Sequence, residues 1–146
     1  MNKTVIFDLD GTLIDSLGDI HAALNGVLHL RNAPPLPLAT VRGLIGKGSA
    51  NLVTRALKAQ NLPFDEASCA SALADFLRLY SAESAKLTTV FDGAIDALDK
   101  LKDSGFCLGI CTNKPLAPTK IVLDQFGLTR FFDAIVGGDQ LANRKP

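Results

Sequence analysis

The feature that most constrains this chain is a short apolar strand that ends in two acids, in the stretch VIFDLDGTLIDS at residues 5–16. Residues 4–9 are rich in β-branched and aromatic side chains, which predicts a strand. Because residues i and i+2 of a strand share one face, Asp8 and Asp10 should converge at or just beyond its carboxyl end. Gly11 allows the backbone to turn sharply there. A hydrophobic strand that ends in this way presents two carboxylates at one place.

Helical and strand patterns alternate in the second half of the chain. A helix is predicted over residues 92–104, with Ile95, Leu98 and Leu101 facing inward, and the strand FCLGICT follows it. A second helix should begin at Pro115, before the strand FDAIVGG. This alternation predicts an α/β fold with a doubly wound parallel sheet, whose ligands gather at the carboxyl ends of the strands.

A helical block separates the first strand from these later elements. Its first helix should leave directly from the acidic turn with Ser16 as N-cap, and further helices are predicted over residues 51–60 and 65–84. In the last of these, one face carries Ala70, Leu73, Phe76, Leu77 and Tyr80. We therefore expect a core domain of residues 1–15 and 87–146, interrupted by a helical subdomain of residues 16–86.

Composition narrows the functional classes. Fifteen basic and fifteen acidic residues cancel, so nothing favours a nucleic-acid partner. No apolar run is long enough for a membrane span or matches a signal peptide, which predicts a cytoplasmic protein without a membrane partner. Cys107 and Cys111 would lie about 13 Å apart along a strand, too far for a disulfide. Reduced, packed thiols agree with a cytoplasmic location.

Two neighbouring carboxylates repel each other, so the site must contain something that offsets their charge. A bound cation, a nearby lysine, or a proton held on one of the acids would each do so. Each solution implies chemistry: a carboxylate beside a hard cation can attack phosphorus, and a second, protonated acid can donate to the leaving oxygen.

The stretch DLDGTLIDS resembles the first motif of the haloacid dehalogenase-like phosphohydrolases. CTNK at residues 111–114 matches the second motif of that family, and RKP at residues 144–146 matches the lysine of its third. TVRGLIGKGSANLV, in the helical block, also resembles the phosphoglycolate phosphatases. The resemblance extends over essentially the whole chain. It implies a Rossmann-like core with an inserted helical cap.

The resemblance also implies a role for each matching residue. Asp8 would be the nucleophile and a Mg²⁺ ligand, and Asp10 the acid/base that offers its backbone carbonyl to the metal. Thr112 would hold the transferring phosphoryl group, and Lys145 would offset charge around Asp8. Three further motif residues would contact the substrate: Gly11, Thr12 and Asn113.

The second acid separates activities within the superfamily. Dehalogenases resemble this motif without it, because they displace halide from carbon and need no proton donor, so Asp10 favours a phosphatase. The cap would select the organic part of the substrate. Arg42 or Lys47, near Gly46 and Gly48, could pair with a small carboxylate, which predicts a small acid phosphate as substrate.

Two alternatives stay open. A phosphonate hydrolase of the same superfamily forms a Schiff base through a cap lysine, for which Lys47 is the candidate, although its spacing from Gly46 differs. Relatives continue past the third-motif lysine to a fourth motif whose acids complete the Mg²⁺ site, whereas this sequence stops at Pro146. The second alternative is therefore an incomplete chain that serves only as a binding module.

The same comparison leads to an expectation about assembly. In the family's sheet the strand that bears Asp8 is central, so a chain that stops at Pro146 would expose one edge of TVIFDL. An unpaired apolar edge invites pairing with another chain. We expect this polypeptide to dimerise, exchange segments or aggregate.

Overall fold

The computed structural model describes residues 3–82 and 85–146. The chain divides into two compact units, one formed by Met1–Ser16 with Thr88–Pro146 and the other by Leu17–Leu87. In chain order the elements are β1 (Thr4–Phe7), β2 (Ile14–Asp15), α1 (Leu17–His29), α2 (Leu38–Arg42), α3 (Ser49–Ala59), α4 (Glu66–Ala82), β3 (Thr89–Val90), α5 (Ala94–Asp103), β4 (Cys107–Cys111), α6 (Leu116–Gln125) and β5 (Ala134–Val136), with a 3₁₀ turn at Thr129–Phe131 before β5.

The first unit is built on a parallel sheet with the strand order β1-β4-β5. Phe7 lies opposite Ile110 and Cys111 opposite Val136, so the three strands end at nearly the same level. Helices α5 and α6 precede and follow β4 in the chain, as parallel neighbours require. The predicted α/β class with a parallel sheet is thus confirmed.

A two-stranded ribbon, which the sequence did not predict, follows the acidic turn. Ile14 pairs with Val90 and Asp15 with Thr89 in antiparallel register. The expectation that a helix leaves directly from the turn is therefore wrong, because β2 lies between the turn and α1. The first strand is also shorter than predicted and ends at Phe7, which leaves Asp8 and Leu9 beyond it.

Among the described residues of the second unit, the regular elements are all helices, α1 to α4. Its core is formed by the inward faces of its helices, where Leu24, Leu28 and Leu57 are at most 1% exposed. Each such leucine contributes about 1.5–3 kcal/mol relative to an exposed position. Phe76 and Tyr80, one turn apart on α4, stack at a ring distance of 5.6 Å.

Several details of the helices differ from the prediction. Ala70 is exposed and Ala72 is buried instead, which moves the apolar face of α4. Ile95 is 37% exposed, whereas Leu98 is fully buried. Helix α2 was not expected in a proline-rich stretch, but Pro37 precedes its first turn, where no amide donor is needed. The predicted end of the last cap helix at Ser84 lies outside the described residues.

In the part of the chain that the structure describes, none of the helices has the length and apolar character needed to cross a membrane.

Candidate active site

The sequence-predicted core residues meet at the carboxyl edge of the parallel sheet. Asp8 follows β1 directly, Thr112 follows β4 and Gly137 follows β5. The backbone N–H of Thr112 donates to Val136 O at 3.0 Å, which continues the pairing of β4 and β5 one residue past the strands. This edge is where parallel α/β sheets bind ligands.

The acidic turn is held together by backbone hydrogen bonds. The carbonyl of Leu9, a fully buried residue, accepts bonds from the N–H groups of Thr12, Leu13 and Ile14. Gly11 has a φ of +81°, a left-handed conformation that favours glycine, and its N–H donates to Ile14 O at 2.8 Å. The turn therefore buries Leu9 and fixes the backbone on which both acids are carried.

Asp8 forms an ion pair with Lys145. The Lys145 ammonium lies 2.8 Å from Asp8 Oδ1, and the two side chains are 34% and 42% exposed. An ammonium placed at this distance offsets the carboxylate charge while both groups stay accessible to a ligand.

Asp10 is held by two donors that contact the same oxygen. The Ser16 hydroxyl donates to Asp10 Oδ1 at 2.6 Å, and the Lys114 ammonium lies 3.2 Å from that atom. The side chains of Lys114 and Asp10 are 6% and 17% exposed. A bound cation, a nearby lysine or a proton on one acid could offset the repulsion between the carboxylates. The structure shows a nearby lysine for each acid.

The loop after β4 supplies the next polar groups. Thr112 is buried, and its hydroxyl oxygen accepts the backbone N–H of Lys114 at 3.1 Å. The Asn113 side chain binds the backbone of Lys145, donating to Lys145 O at 3.2 Å and accepting from Lys145 N at 2.8 Å. Asn113 therefore tethers the segment that carries the Asp8 partner.

Two glycines let the end of β5 approach this loop. A Cβ placed on Gly137 would lie 2.5 Å from the Leu116 nitrogen, and one placed on Gly138 would collide with the Asn113 carbonyl. The N–H of Gly138 donates to Lys114 O at 2.8 Å, and Asp139 Oδ1 accepts the N–H of Leu116, the first residue of α6. The loop is thus braced by the residues after β5.

A cavity of about 180 Å³ opens between these loops. Its lining comes from the residues that follow β4 and β5 and from the last residues of the chain: Cys111–Asn113, Val136–Gly138, Leu141 and Asn143–Lys145. Its size suits a small ligand group rather than a large one.

The remaining predicted residues divide between the two units. Thr12 is exposed beside Gly11 in the acidic turn. Arg42 ends α2, and Lys47 is exposed between Gly46 and Gly48, whose φ values are +118° and +85°. Arg42 and Lys47 therefore belong to the helical unit, and their predicted substrate contacts stay predictions.

The sequence interpretation did not assign roles to Lys114 or to the hydroxyl of Ser16 as an Asp10 partner. Lys114 is the last residue of the CTNK motif, so the motif pointed to it. A lysine in a loop is ordinarily solvated, however, and was not expected to contact Asp10. Ser16 was expected to cap α1, whereas the structure shows that its hydroxyl donates to Asp10. The Lys114 contact depends on packing between segments 104 residues apart, whereas Ser16 lies only six residues from Asp10.

A model of the haloacid dehalogenase-like hydrolase family matches residues 5–146. A phosphoglycolate phosphatase from Cereibacter sphaeroides (strain ATCC 17029) is 44% identical over 142 residues, which cover 97% of this chain and 65% of that protein. The corresponding protein from Rhodospirillum rubrum is 41% identical over 150 residues, which cover 100% of this chain and 62% of its own length. The chain thus spans 62% and 65% of these two curated relatives.

Solved structures agree with the sequence comparison. A crystal structure described as a predicted phosphoglycolate phosphatase from Haemophilus somnus 129PT superposes with a TM-score of 0.88 at 30% identity. The match covers 99% of this chain and 66% of that one.

Proposed function

Because this chain belongs to the haloacid dehalogenase-like hydrolase family, we propose that it is a phosphomonoester hydrolase similar to phosphoglycolate phosphatases. The observation that carries the proposal is the pair of acids at the sheet edge, each with its own ammonium, Asp8 with Lys145 and Asp10 with Lys114. The relatives named phosphoglycolate phosphatase favour this activity over a phosphonate hydrolase or a binding module.

The reaction we propose has two steps. A carboxylate oxygen of Asp8 attacks phosphorus, the bond from phosphorus to the ester oxygen breaks, and the leaving oxygen takes a proton from the Asp10 carboxyl group. Water then attacks the phosphorus of the aspartyl-phosphate and gives a proton to Asp10, and the bond from phosphorus to the Asp8 oxygen breaks. Inorganic phosphate leaves, and both acids return to their starting forms.

Neighbouring groups support these steps. The Lys145 ammonium can contact a phosphoryl oxygen once Asp8 is engaged with phosphorus, because both side chains are partly exposed. The Thr112 oxygen already accepts an N–H bond, so its hydroxyl hydrogen is the part that can be donated to a phosphoryl oxygen. Gly11 and Thr12, in the exposed acidic turn, would line the same site.

The donor chemistry fits Mg²⁺ as the cofactor. The Asp8 carboxylate is 42% exposed and, with the Asp10 carbonyl, would supply oxygen ligands. Among the described residues, no group of three His, Cys, Asp or Glu side chains is arranged to hold a metal. Mg²⁺ commonly binds one or two carboxylates and keeps several waters. When bound, it would offset phosphoryl charge.

We further propose that the helical unit is a cap that selects a small acid phosphate, such as the phosphoglycolate of the relatives' names. Arg42 and Lys47 are exposed cations of this unit near Gly46 and Gly48, and a guanidinium or ammonium suits a substrate carboxylate. We place the enzyme in the cytoplasm, which the three free cysteines support.

Replacing each acid tests the mechanism. Asp8→Asn should abolish turnover of phosphoglycolate with Mg²⁺ present, and Asp10→Asn should lower kcat by about 10² to 10⁴-fold. Acid quenching with labelled substrate should trap phosphate on wild-type protein but not on Asp8→Asn. The exposed Asp96→Asn on α5 serves as control. Activity of Asp8→Asn near that of wild type would refute Asp8 as nucleophile.

A further inference from the structure

Lys114 stands apart from an ordinary loop lysine because its side chain is 6% exposed and its ammonium lies 3.2 Å from Asp10 Oδ1. A buried ammonium is costly unless an acceptor or an opposite charge is close. The Asp10 carboxylate provides both. The chain therefore keeps this charge in the interior beside one of the two acids.

The two lysines of the site differ in accessibility. Lys145 is 34% exposed and its partner Asp8 42%, whereas Lys114 is 6% exposed and its partner Asp10 17%. An incoming phosphoryl group can reach the exposed pair and exchange partners with it. The Lys114 ammonium is much less accessible, so we expect it to stay with Asp10 while Lys145 changes partner.

Both donors to Asp10 contact Oδ1, one from the Ser16 hydroxyl and one from the Lys114 ammonium. Two donors on one oxygen fix the orientation of the carboxyl plane. Among the described residues, no hydrogen-bond donor contacts Asp10 Oδ2. Oδ2 is therefore the oxygen left to exchange a proton with a substrate.

The backbone of Lys114 is fixed as firmly as its ammonium. Its N–H donates to Thr112 Oγ1 at 3.1 Å, and its carbonyl accepts from the N–H of Gly138 at 2.8 Å. The ammonium is thus carried on a backbone segment that is tied to the ends of both β4 and β5.

We propose that Lys114 is a positioning residue that holds Asp10 Oδ1, so that Oδ2 delivers the proton to the leaving oxygen. The inference rests on the proposed phosphatase function. The roles that the family resemblance implies include none for Lys114. In this role Lys114 acts through Asp10, and so its loss should matter in proportion to the need for proton transfer.

The kinetic test uses two substrates that differ in this need. An alkyl phosphate such as phosphoglycolate loses a strongly basic oxygen that requires protonation, whereas 4-nitrophenyl phosphate loses a stable phenolate. Lys114→Met should lower kcat/KM for phosphoglycolate by about 10²-fold, the low end for general acid catalysis. For 4-nitrophenyl phosphate, kcat/KM should fall far less, because this parameter covers only the steps through phosphorylation of Asp8.

Two comparison variants sharpen the test. Lys145→Met should lower kcat/KM for both substrates alike, since Lys145 faces the phosphoryl group that the two share. The exposed Lys120→Met on α6 should change neither. An equal loss for both substrates in Lys114→Met would overturn the proposal, because a merely structural or phosphate-binding role predicts that pattern.

A melting experiment tests the contact without turnover. Lys114→Met and Asp10→Asn each leave one buried partner without its counterpart, and the double variant removes both, so its melting temperature should exceed the value expected from adding the two single losses. Additive losses would refute the contact. If wild-type protein hydrolyses neither substrate, the phosphatase proposal fails, and this cycle alone decides whether Lys114 holds Asp10.

Discussion

At the scale of single residues, the site depends on a side chain that imitates backbone pairing. Asn113 both donates to and accepts from the backbone of Lys145, as a neighbouring strand would. These two bonds attach the last residues of the described chain to the loop after β4. The position of the Asp8 partner is therefore set by the Asn113 side-chain amide.

Asn113→Ala should release this segment. An ordinary hydrogen bond contributes about 1 kcal/mol, so losing both should weaken docking by about 2 kcal/mol, or about 30-fold. We expect amide exchange at Lys145 to accelerate by a similar factor and kcat/KM to fall at least tenfold. Exchange at Thr112, whose N–H is bonded to Val136 O, is the internal reference. Unchanged exchange at Lys145 would show that Asn113 is not the tether.

The residues that the sequence identified are those whose role follows from local chemistry. Asp8, Asp10 and Gly11 could be found because an apolar strand, two acids and a turn glycine are adjacent in the chain. Lys114 is part of the CTNK motif, but its contact with Asp10 could not be predicted, because that contact depends on packing between segments 104 residues apart. The glycines after β5 were likewise unpredictable, since their need arises from contact with the 113–116 loop.

At the scale of elements, the sequence predicted the long helices and the core strands and missed the short pieces. Periodicity needs several residues to be visible, so the two-residue strands β2 and β3 and the five-residue α2 leave no such signal. The first strand was predicted to be too long for a related reason. Composition shows where a strand can extend, but pairing with β4 determines that β1 ends at Phe7.

Asp133, just before β5, joins three elements of the core unit. Its carboxylate accepts the N–H of Leu108 in β4 at 2.9 Å and a bond from Lys102 in α5 at 3.2 Å. The Leu108 N–H, and after it Lys102, lower the pKa of Asp133 below its usual value. A carboxyl group whose pKa is lowered by folding stabilises the fold above its unfolded pKa and loses that effect as the pH falls through the folded value.

Asp133→Asn should therefore lower the urea midpoint of unfolding at pH 7, and the difference from wild type should shrink as the pH falls below about 4, the unfolded pKa of aspartate. Asp99→Asn is a matched control, since Asp99 makes an exposed ion pair with Arg130 at 3.9 Å. A difference that stays constant from pH 7 to below the folded pKa would mean that the charge of Asp133 is not what stabilises the junction.

At the scale of the whole molecule, the chain has its candidate catalytic residues in one unit and its candidate selectivity residues in the other. If the helical unit selects substrate, the combined substitution Arg42→Ala with Lys47→Ala should raise KM for phosphoglycolate about tenfold, the loss expected for a charge-assisted hydrogen bond. KM for 4-nitrophenyl phosphate, which has no carboxylate, should not change. Lys58→Ala on α3 is the control. Equal changes in KM for both substrates would show that Arg42 and Lys47 do not determine substrate selectivity.

The edge of the sheet leads to an expectation about assembly. Within the described residues β1 pairs with β4 alone, and Ile6 on this strand is 61% exposed. Unpaired N–H and C=O groups on an apolar strand favour pairing with a second chain, and a charge on the strand opposes it. Pairing between the β1 strands of two copies would thus satisfy the unpaired backbone groups and bury the apolar surface that β1 leaves exposed.

We therefore expect the 146-residue polypeptide to self-associate as its concentration rises, and Ile6→Lys to shift it toward monomer in sedimentation velocity. Ile121→Lys is the matched control, because Ile121 is 53% exposed on α6 and lies away from the strand edge. If charge alone improved solubility, both variants would dissociate the assembly equally. Association weakened only by Ile6→Lys would assign it to β1, whereas a wild-type monomer at every concentration would show that this edge does not recruit a second copy.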